Sequence, residues 1–172
     1  MSAQLRMKNV FVGLGGLIGP DGILDSEGIS YLAEEIAKLP NTRVSTWTWD
    51  KWENLDQALA RTLPSDLNVV LGYSGAGSRA TYLVARIDLL ILLDPSPAWQ
   101  MRTIEKNVKR AICFHNAAPA LYIPFIGELG GGILRGVSGV PIETIDIAEE
   151  HLAVQEDESI RTRVLKEIEE LG

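Results

Sequence analysis

The sequence predicts an α/β fold with a doubly wound, mostly parallel sheet of about six strands and helices on both faces. Short apolar runs alternate along the chain with amphipathic stretches of helical periodicity. The apolar runs are nearly continuous, as is typical of parallel strands that are buried on both faces. We expect residues 1–172 to form a single domain, because this length suits one hydrophobic core.

Six segments are predicted as strands: 9–12, 43–49, 67–71, 88–93, 109–114 and 142–147. Four are predicted as helices: 26–39, 53–63, 78–85 and about 151–171. The last of these carries Ile160, Val164 and Ile168 at helical spacing. Parallel sheets bind ligands beyond the carboxyl ends of their strands, and every candidate residue below follows or ends a predicted strand.

Charge and cysteine content exclude several classes of partner. A net charge of −7 argues against nucleic acid and anionic membrane surfaces. Cys113 is the only cysteine, so it forms no intrachain disulfide and no multi-cysteine metal site. The apolar run 10–18 is too short to span a membrane and lacks a cleavage site. We therefore expect a cytoplasmic protein without stable membrane insertion, acting on a small-molecule or acyl substrate.

The segment Gly72-Tyr73-Ser74-Gly75-Ala76 lies between a predicted strand and a predicted helix. Small residues on both sides of a serine permit the tight turn that presents a nucleophile, although Ala76 stands where the strict G-x-S-x-G pattern has glycine. Ser74 is therefore the candidate nucleophile. A purely structural glycine turn remains an alternative. A dinucleotide-binding turn fits less well, because Ser74 occupies the middle glycine of G-x-G-x-x-G.

A serine nucleophile needs a base, and the sequence offers His115 and His151. His151 follows the last predicted strand, which suits the chain order serine, acid, histidine. We predict that His151 is the base. His115 ends the preceding strand, where it would line a pocket or make a strand-end hydrogen bond.

The predicted acid is Asp94, which ends the strand after the one that leads to Ser74. The more usual position follows the next strand, where this chain has Asn116 instead of a carboxylate. A capping role for Asp94 remains the competing interpretation. Asp146 and Glu149 fit less well, the first inside a strand and the second on a solvated helix start.

The loop after the first strand, Gly13-Leu14-Gly15-Gly16, is predicted to come close to the serine. The backbone amides of Leu14 and Gly75 are then the candidate donors of an oxyanion hole. The long apolar loop 117–140 is expected to contact substrate, and a satellite core packed under the loop remains the alternative. The predicted substrate-binding residues are Tyr73, Leu121, Tyr122 and Phe125.

These residues together resemble the α/β-hydrolase superfamily. Residues 10–16 are similar to its first oxyanion segment, with Val12 in place of a common histidine, and residues 72–76 resemble its nucleophile elbow. Leu92-Leu93-Asp94-Pro95 resembles the segment that carries the acid in animal pancreatic-type lipases. The resemblance implies a minimal fold of cutinase-like size with no cap domain, and hence a serine open to solvent.

The resemblance implies a serine esterase, lipase or thioesterase that needs neither metal nor organic cofactor. Ser74, Asp94 and His151 would form its catalytic triad. Two alternatives stay open: a non-catalytic binding module on a degenerate hydrolase scaffold, and a nucleotide-binding doubly wound protein. The distances among Ser74, His151 and the nearest carboxylate discriminate between the hydrolase and the binding module.

Overall fold

The structure is a computed structural model that describes residues 6–15, 27–97, 100–116, 121–123 and 127–172. At 121–123 and 127–129 the description covers the backbone. Within these ranges, one sheet is formed by six strands: β1 (Lys8–Leu14), β2 (Thr42–Thr48), β3 (Leu67–Tyr73), β4 (Leu89–Leu93), β5 (Ala111–Asn116) and β8 (Ile142–Ile147). All six are parallel, and their order in the sheet is β2-β1-β3-β4-β5-β8. The predicted α/β fold is confirmed.

Helices cover both faces of this sheet. The helices are α1 (Glu27–Ile36), α2 (Trp52–Ala60), α3 (Ser74–Ala80) and α4 (Glu158–Glu169), and a 3-10 turn (Trp49–Lys51) precedes α2. The sheet side chains alternate between two apolar clusters, one shared with α1 and α4 and the other with α2 and α3. Thus Val69 and Leu71 of β3 face α1 and α4, while Val70 between them faces α3. This alternation explains why the central strands are apolar throughout.

Helix α3 begins at Ser74, four residues earlier than its predicted start at residue 78. Its first turn crosses β3 so closely that a β-carbon on Gly72 would lie 2.7 Å from the Gly77 Cα. Glycine has a low intrinsic helix propensity, which favoured a loop over residues 72–77. Close packing of helix on strand overrides that propensity, and it places the nucleophile candidate at the junction of the two elements.

Helix α4 begins at Glu158, later than the predicted start near residue 151. Asp157 caps it by accepting a hydrogen bond from the Ile160 amide at 2.8 Å. Residues 151–156 form successive turns instead, and His151 lies in them. A histidine on a turn takes its orientation from its neighbours, not from a helix axis.

The predicted loop 117–140 contains a small antiparallel ladder that the sequence analysis missed. It pairs β6 (Leu121–Ile123) with β7 (Gly127–Leu129). Among the described residues, no helix has the length and apolar character to cross a membrane.

Candidate active site

Ser74 is the first residue of α3 and follows β3 directly. Its φ angle is +51°, in the left-handed region that side chains rarely adopt, so the backbone turns sharply at the serine. The Ser74 carbonyl accepts hydrogen bonds from the Ser96 amide at 3.2 Å and from Ser78 Oγ at 3.4 Å. These bonds stabilise a backbone conformation that is unfavourable by itself.

Ala76, which departs from the strict elbow pattern, fits because Gly13 faces it. A β-carbon on Gly13 would lie 2.9 Å from the Ala76 Cβ and 2.6 Å from Cζ2 of Trp47. Ala76 is fully buried in the cluster that also contains Trp47. Because Gly13 on β1 has no side chain, there is room for the Ala76 methyl group on α3.

The histidine and the serine lie within hydrogen-bond distance of each other. His151 Nε2 is 2.9 Å from Ser74 Oγ, and His151 Nδ1 is 2.7 Å from Asp94 Oδ2. A carboxylate oxygen only accepts, so the Nδ1 proton points to Asp94 and Nε2 is left to accept from the serine hydroxyl. The three residues form one continuous hydrogen-bonded chain.

Asp94 follows β4 and is fully buried. Its Oδ1 accepts hydrogen bonds from the Gly131 amide at 2.7 Å and from the Asn116 amide at 3.2 Å. Both carboxylate oxygens are therefore engaged, as a buried charge requires. A β-carbon on Gly130 would overlap Asp94 Oδ2 and lie 2.6 Å from His151 Nδ1, so only glycine fits above this contact.

The other candidates lie outside the hydrogen-bonded chain. His115 pairs in register with Asp146 across β5 and β8, and its buried Nδ1 has no hydrogen-bond partner within the described part of the chain. Glu149 contributes its backbone carbonyl, which accepts from Asn116 Nδ2 at 2.6 Å. Asn116 thus occupies the strand end that is the more usual position of the acid, and it contacts both Asp94 and the segment that carries the histidine.

The structure places Tyr73 under the histidine, whereas the sequence analysis expected it against substrate. The Tyr73 side chain is 2% exposed and its ring stacks on the His151 imidazole, with centroids 5.2 Å apart and planes at 20°. The Tyr73 hydroxyl donates a hydrogen bond to the His151 carbonyl at 2.9 Å. Burial, and then the charge on Asp94, raise the pKa of the Tyr73 phenol well above its usual range, so it remains a donor.

The predicted oxyanion donors come from two different elements. Gly75 is the second residue of α3, and Leu14 is the last residue of β1. Gly15 follows and contacts the serine closely, because a β-carbon there would lie 3.1 Å from the Ser74 Cβ. Of the predicted substrate contacts, Leu121 and Tyr122 lie on β6, and Phe125 lies outside the described residues.

The expectation of a solvent-open serine is wrong. Ser74 is 5% exposed and His151 is 6% exposed. The imidazole lies over the serine, and the segment at Gly130 and Gly131 packs against the acid. Surrounding segments therefore enclose the hydrogen-bonded chain.

The residues that hold this arrangement carry weak sequence signals. Asn116 has no carboxylate, and a run of glycines such as that at 130–132 is common in loops. In the described part of the chain, no group of three or more histidine, cysteine or acidic side chains is arranged to hold a metal ion.

Comparisons with known proteins indicate the fold. The sequence matches no protein-family model, and a search of curated proteins finds no significant match. Among solved structures, an iodinated complex of acetyl xylan esterase matches with a TM-score of 0.51 at 13% identity. The match covers 95% of this chain and 97% of that chain. At this identity the likeness extends to the fold alone, which the two proteins share over nearly their full lengths.

Proposed function

We propose that this protein is a serine hydrolase that cleaves a carboxylic ester or thioester through an acyl-Ser74 intermediate. The observation that carries the proposal is the hydrogen-bonded chain from Ser74 Oγ through His151 to Asp94, with distances of 2.9 and 2.7 Å. Nucleophile, base and orienting acid in this geometry are the recurring requirement of serine catalysis. Likeness in fold to an acetyl xylan esterase supports a hydrolase.

In the proposed mechanism, Ser74 Oγ attacks the substrate carbonyl carbon while its proton passes to His151 Nε2. The buried Asp94 carboxylate stabilises the imidazolium that forms, and the amides of Asn116 and Gly131 hold this carboxylate in place by donating to its Oδ1. The tetrahedral intermediate expels the alcohol or thiol, which takes the proton from Nε2. A water molecule then attacks the acyl carbonyl carbon while its proton passes to His151 Nε2. The second tetrahedral intermediate releases the carboxylic acid, and Ser74 Oγ takes the proton back from Nε2.

The developing oxyanion requires backbone donors beside Ser74. We assign this role to the amides of Gly75 and Leu14. The amide of Gly75 lies in the first turn of α3, where helix amides have no partner in their own helix. Gly15 packs against Ser74 and so brings the end of β1 to the nucleophile. Leu121 and Tyr122 remain proposed contacts for the acyl or alkoxy group.

The non-catalytic binding module predicts that His151 Nε2 lies well beyond hydrogen-bond reach of Ser74. The distance of 2.9 Å supports the hydrolase over that alternative. A degenerate scaffold also has no need of a fully buried carboxylate whose two oxygens are both occupied.

The proposal is tested by labelling with a fluorophosphonate probe and by turnover of p-nitrophenyl acetate and its thioacetate analogue. We expect the wild-type protein to be labelled at Ser74 and Ser74→Ala to lose labelling and turnover by at least about 10³-fold. Ser159→Ala, an exposed serine at the start of α4, serves as the matched control. An unlabelled wild-type protein with an intact circular dichroism spectrum contradicts the proposal, as does full labelling of Ser74→Ala.

A further inference from the structure

The segment that carries His151 has little regular structure of its own. Residues 151–156 form turns between β8 and α4, with local hydrogen bonds such as Ala153 N to Glu150 O at 2.8 Å. Such bonds shape the turns without fixing them against the sheet that carries Ser74. The contacts that join this segment to the strands therefore decide where the imidazole lies.

Tyr73 provides one of these contacts and precedes the nucleophile on β3. Its hydroxyl donates to the His151 carbonyl at 2.9 Å while its ring stacks on the imidazole. Backbone and side chain of the histidine are thus both fixed by one tyrosine. Because Tyr73 and Ser74 are adjacent in the chain, a contact to Tyr73 positions the histidine relative to the nucleophile.

Asn116 provides a second contact from β5. Its Nδ2 donates to the Glu149 carbonyl at 2.6 Å, two residues before His151, and its backbone amide donates to Asp94 Oδ1 at 3.2 Å. One residue therefore connects the acid to the backbone that carries the base. The two anchored carbonyls, Glu149 and His151, lie on either side of Glu150.

We infer that Tyr73 and Asn116 are positioning residues that hold the His151 imidazole between Asp94 and Ser74. This inference rests on the proposed function for its kinetic part only, because the position of the ring is a property of the resting protein. It assigns Tyr73 to the base and not to the substrate. Their side chains bond to the backbone that carries His151, so both act on the rate through the histidine.

The experiment compares Tyr73→Phe and Asn116→Ala with wild type. Tyr73→Phe keeps the stacked ring and removes the hydroxyl. Asn116→Ala removes Nδ2 but keeps the hydrogen bond from the backbone amide of residue 116 to Asp94. Tyr82→Phe is the matched control, since the Tyr82 hydroxyl also donates to a backbone carbonyl, that of Gln100 at 2.7 Å, outside the site. Circular dichroism confirms folding of each variant.

Two readouts are measured. In p-nitrophenyl acetate turnover, we expect kcat to fall about tenfold in Tyr73→Phe and in Asn116→Ala, with KM within about twofold of wild type, as for loss of one hydrogen bond that orients a catalytic group. The sequence has two histidines, so ¹⁵N-histidine NMR gives two imidazole signals to assign. In Tyr73→Phe and Asn116→Ala, we expect the Nδ1 proton of His151 to exchange with solvent about tenfold faster than in wild type. Tyr82→Phe should match wild type in both.

Equal kcat and equal Nδ1 proton exchange in Tyr73→Phe, Asn116→Ala and Tyr82→Phe would overturn the inference. A rise in KM at unchanged kcat in Tyr73→Phe would overturn it too, by returning the tyrosine to the substrate. If the wild-type protein shows no turnover and no fluorophosphonate labelling, the proposed function fails. The proton-exchange comparison then decides the positioning role alone.

Discussion

Positive φ angles occur at Ser74, +51°, and at Asp94, +39°, two of the three side chains in the hydrogen-bonded chain. Each such residue costs roughly 1–2 kcal/mol of backbone strain. Both conformations persist because backbone hydrogen bonds fix them: the Ser96 amide donates to the Ser74 carbonyl at 3.2 Å, and the Asp94 amide donates to the Phe114 carbonyl at 2.8 Å. The site thus depends on a few residues whose only contribution is a small side chain or a backbone amide.

Gly130→Ala is predicted to lower activity strongly while the protein still folds. Gly130 has a φ of +77°, and a new β-carbon would overlap Asp94 Oδ2 and crowd His151 Nδ1. We expect turnover of p-nitrophenyl acetate to fall about 100-fold, as when a catalytic group is displaced by about 1 Å. Urea denaturation should show a loss of roughly 1–2 kcal/mol from backbone strain and a further loss of roughly 1–3 kcal/mol from overpacking.

Gly139→Ala is the control for this prediction. Its φ is +94°, yet nothing lies within 4 Å of the added β-carbon. It should lose only the roughly 1–2 kcal/mol of free energy of unfolding that backbone strain costs, and retain wild-type turnover. Equal turnover in the two variants would show that contact with Asp94 and His151 is not what makes Gly130 necessary.

At the scale of the elements, Asp88 joins the amino ends of three neighbouring strands. It precedes β4, and it accepts hydrogen bonds from the Asn68 amide of β3 at 2.8 Å and from Lys109 Nζ before β5 at 2.6 Å. Burial raises the pKa of the Asp88 carboxyl, but these bonds and the charge of Arg86 more than offset it. The pKa therefore lies below its ordinary value.

Asp88→Asn is predicted to destabilise the protein at neutral pH and not in acid. A carboxyl whose pKa is lowered by folding stabilises the folded state above its unfolded pKa of about 3.9, and this stabilisation is lost as the pH falls through the folded pKa. We expect a loss of about 1–3 kcal/mol at pH 7 that becomes smaller as the pH falls below the unfolded pKa of about 3.9, measured by urea denaturation. Glu170→Gln, at an exposed ion pair, should change stability by less than about 0.5 kcal/mol. A loss at pH 2.5 equal to that at pH 7 would contradict the assignment.

At the scale of the whole molecule, the sequence predicts the sheet well because burial on both faces leaves a strong signal. The bounds of β8, Ile142–Ile147, agree residue for residue with the prediction. The start of α3 was mispredicted because its glycines weaken helix propensity, while their packing on Gly72 is a tertiary effect. The start of α4 was mispredicted because apolar spacing was extended back through turns that precede the Asp157 cap.

The candidate site was predictable where chemistry follows strand ends, as for Ser74 and Asp94, because topology alone brings those ends together. It was not predictable where one side chain supports another. Tyr73 reaches His151 across 78 positions of sequence, and Asn116 reaches Glu149 across 33. No local pattern encodes such contacts, since a tyrosine or asparagine at a strand end fits many environments.

The state of Cys113 provides a prediction for the whole fold, because it is the single cysteine and lies fully buried on β5. Burial, with a smaller effect of the Asp94 charge, raises the pKa of the Cys113 thiol to about 12. At pH 8 about one thiol in 10,000 would then be thiolate, against about one in four for an exposed cysteine.

We expect iodoacetamide to leave the native protein unmodified and its turnover unchanged, and to alkylate Cys113 at least about 10³-fold faster in 6 M guanidinium. Because β5 lies between β4 and β8, the thiol should become reactive only on global unfolding, with the same denaturant midpoint as the circular dichroism signal. Stoichiometric alkylation of the folded protein within minutes would instead reveal a local opening of the sheet beside Asp94.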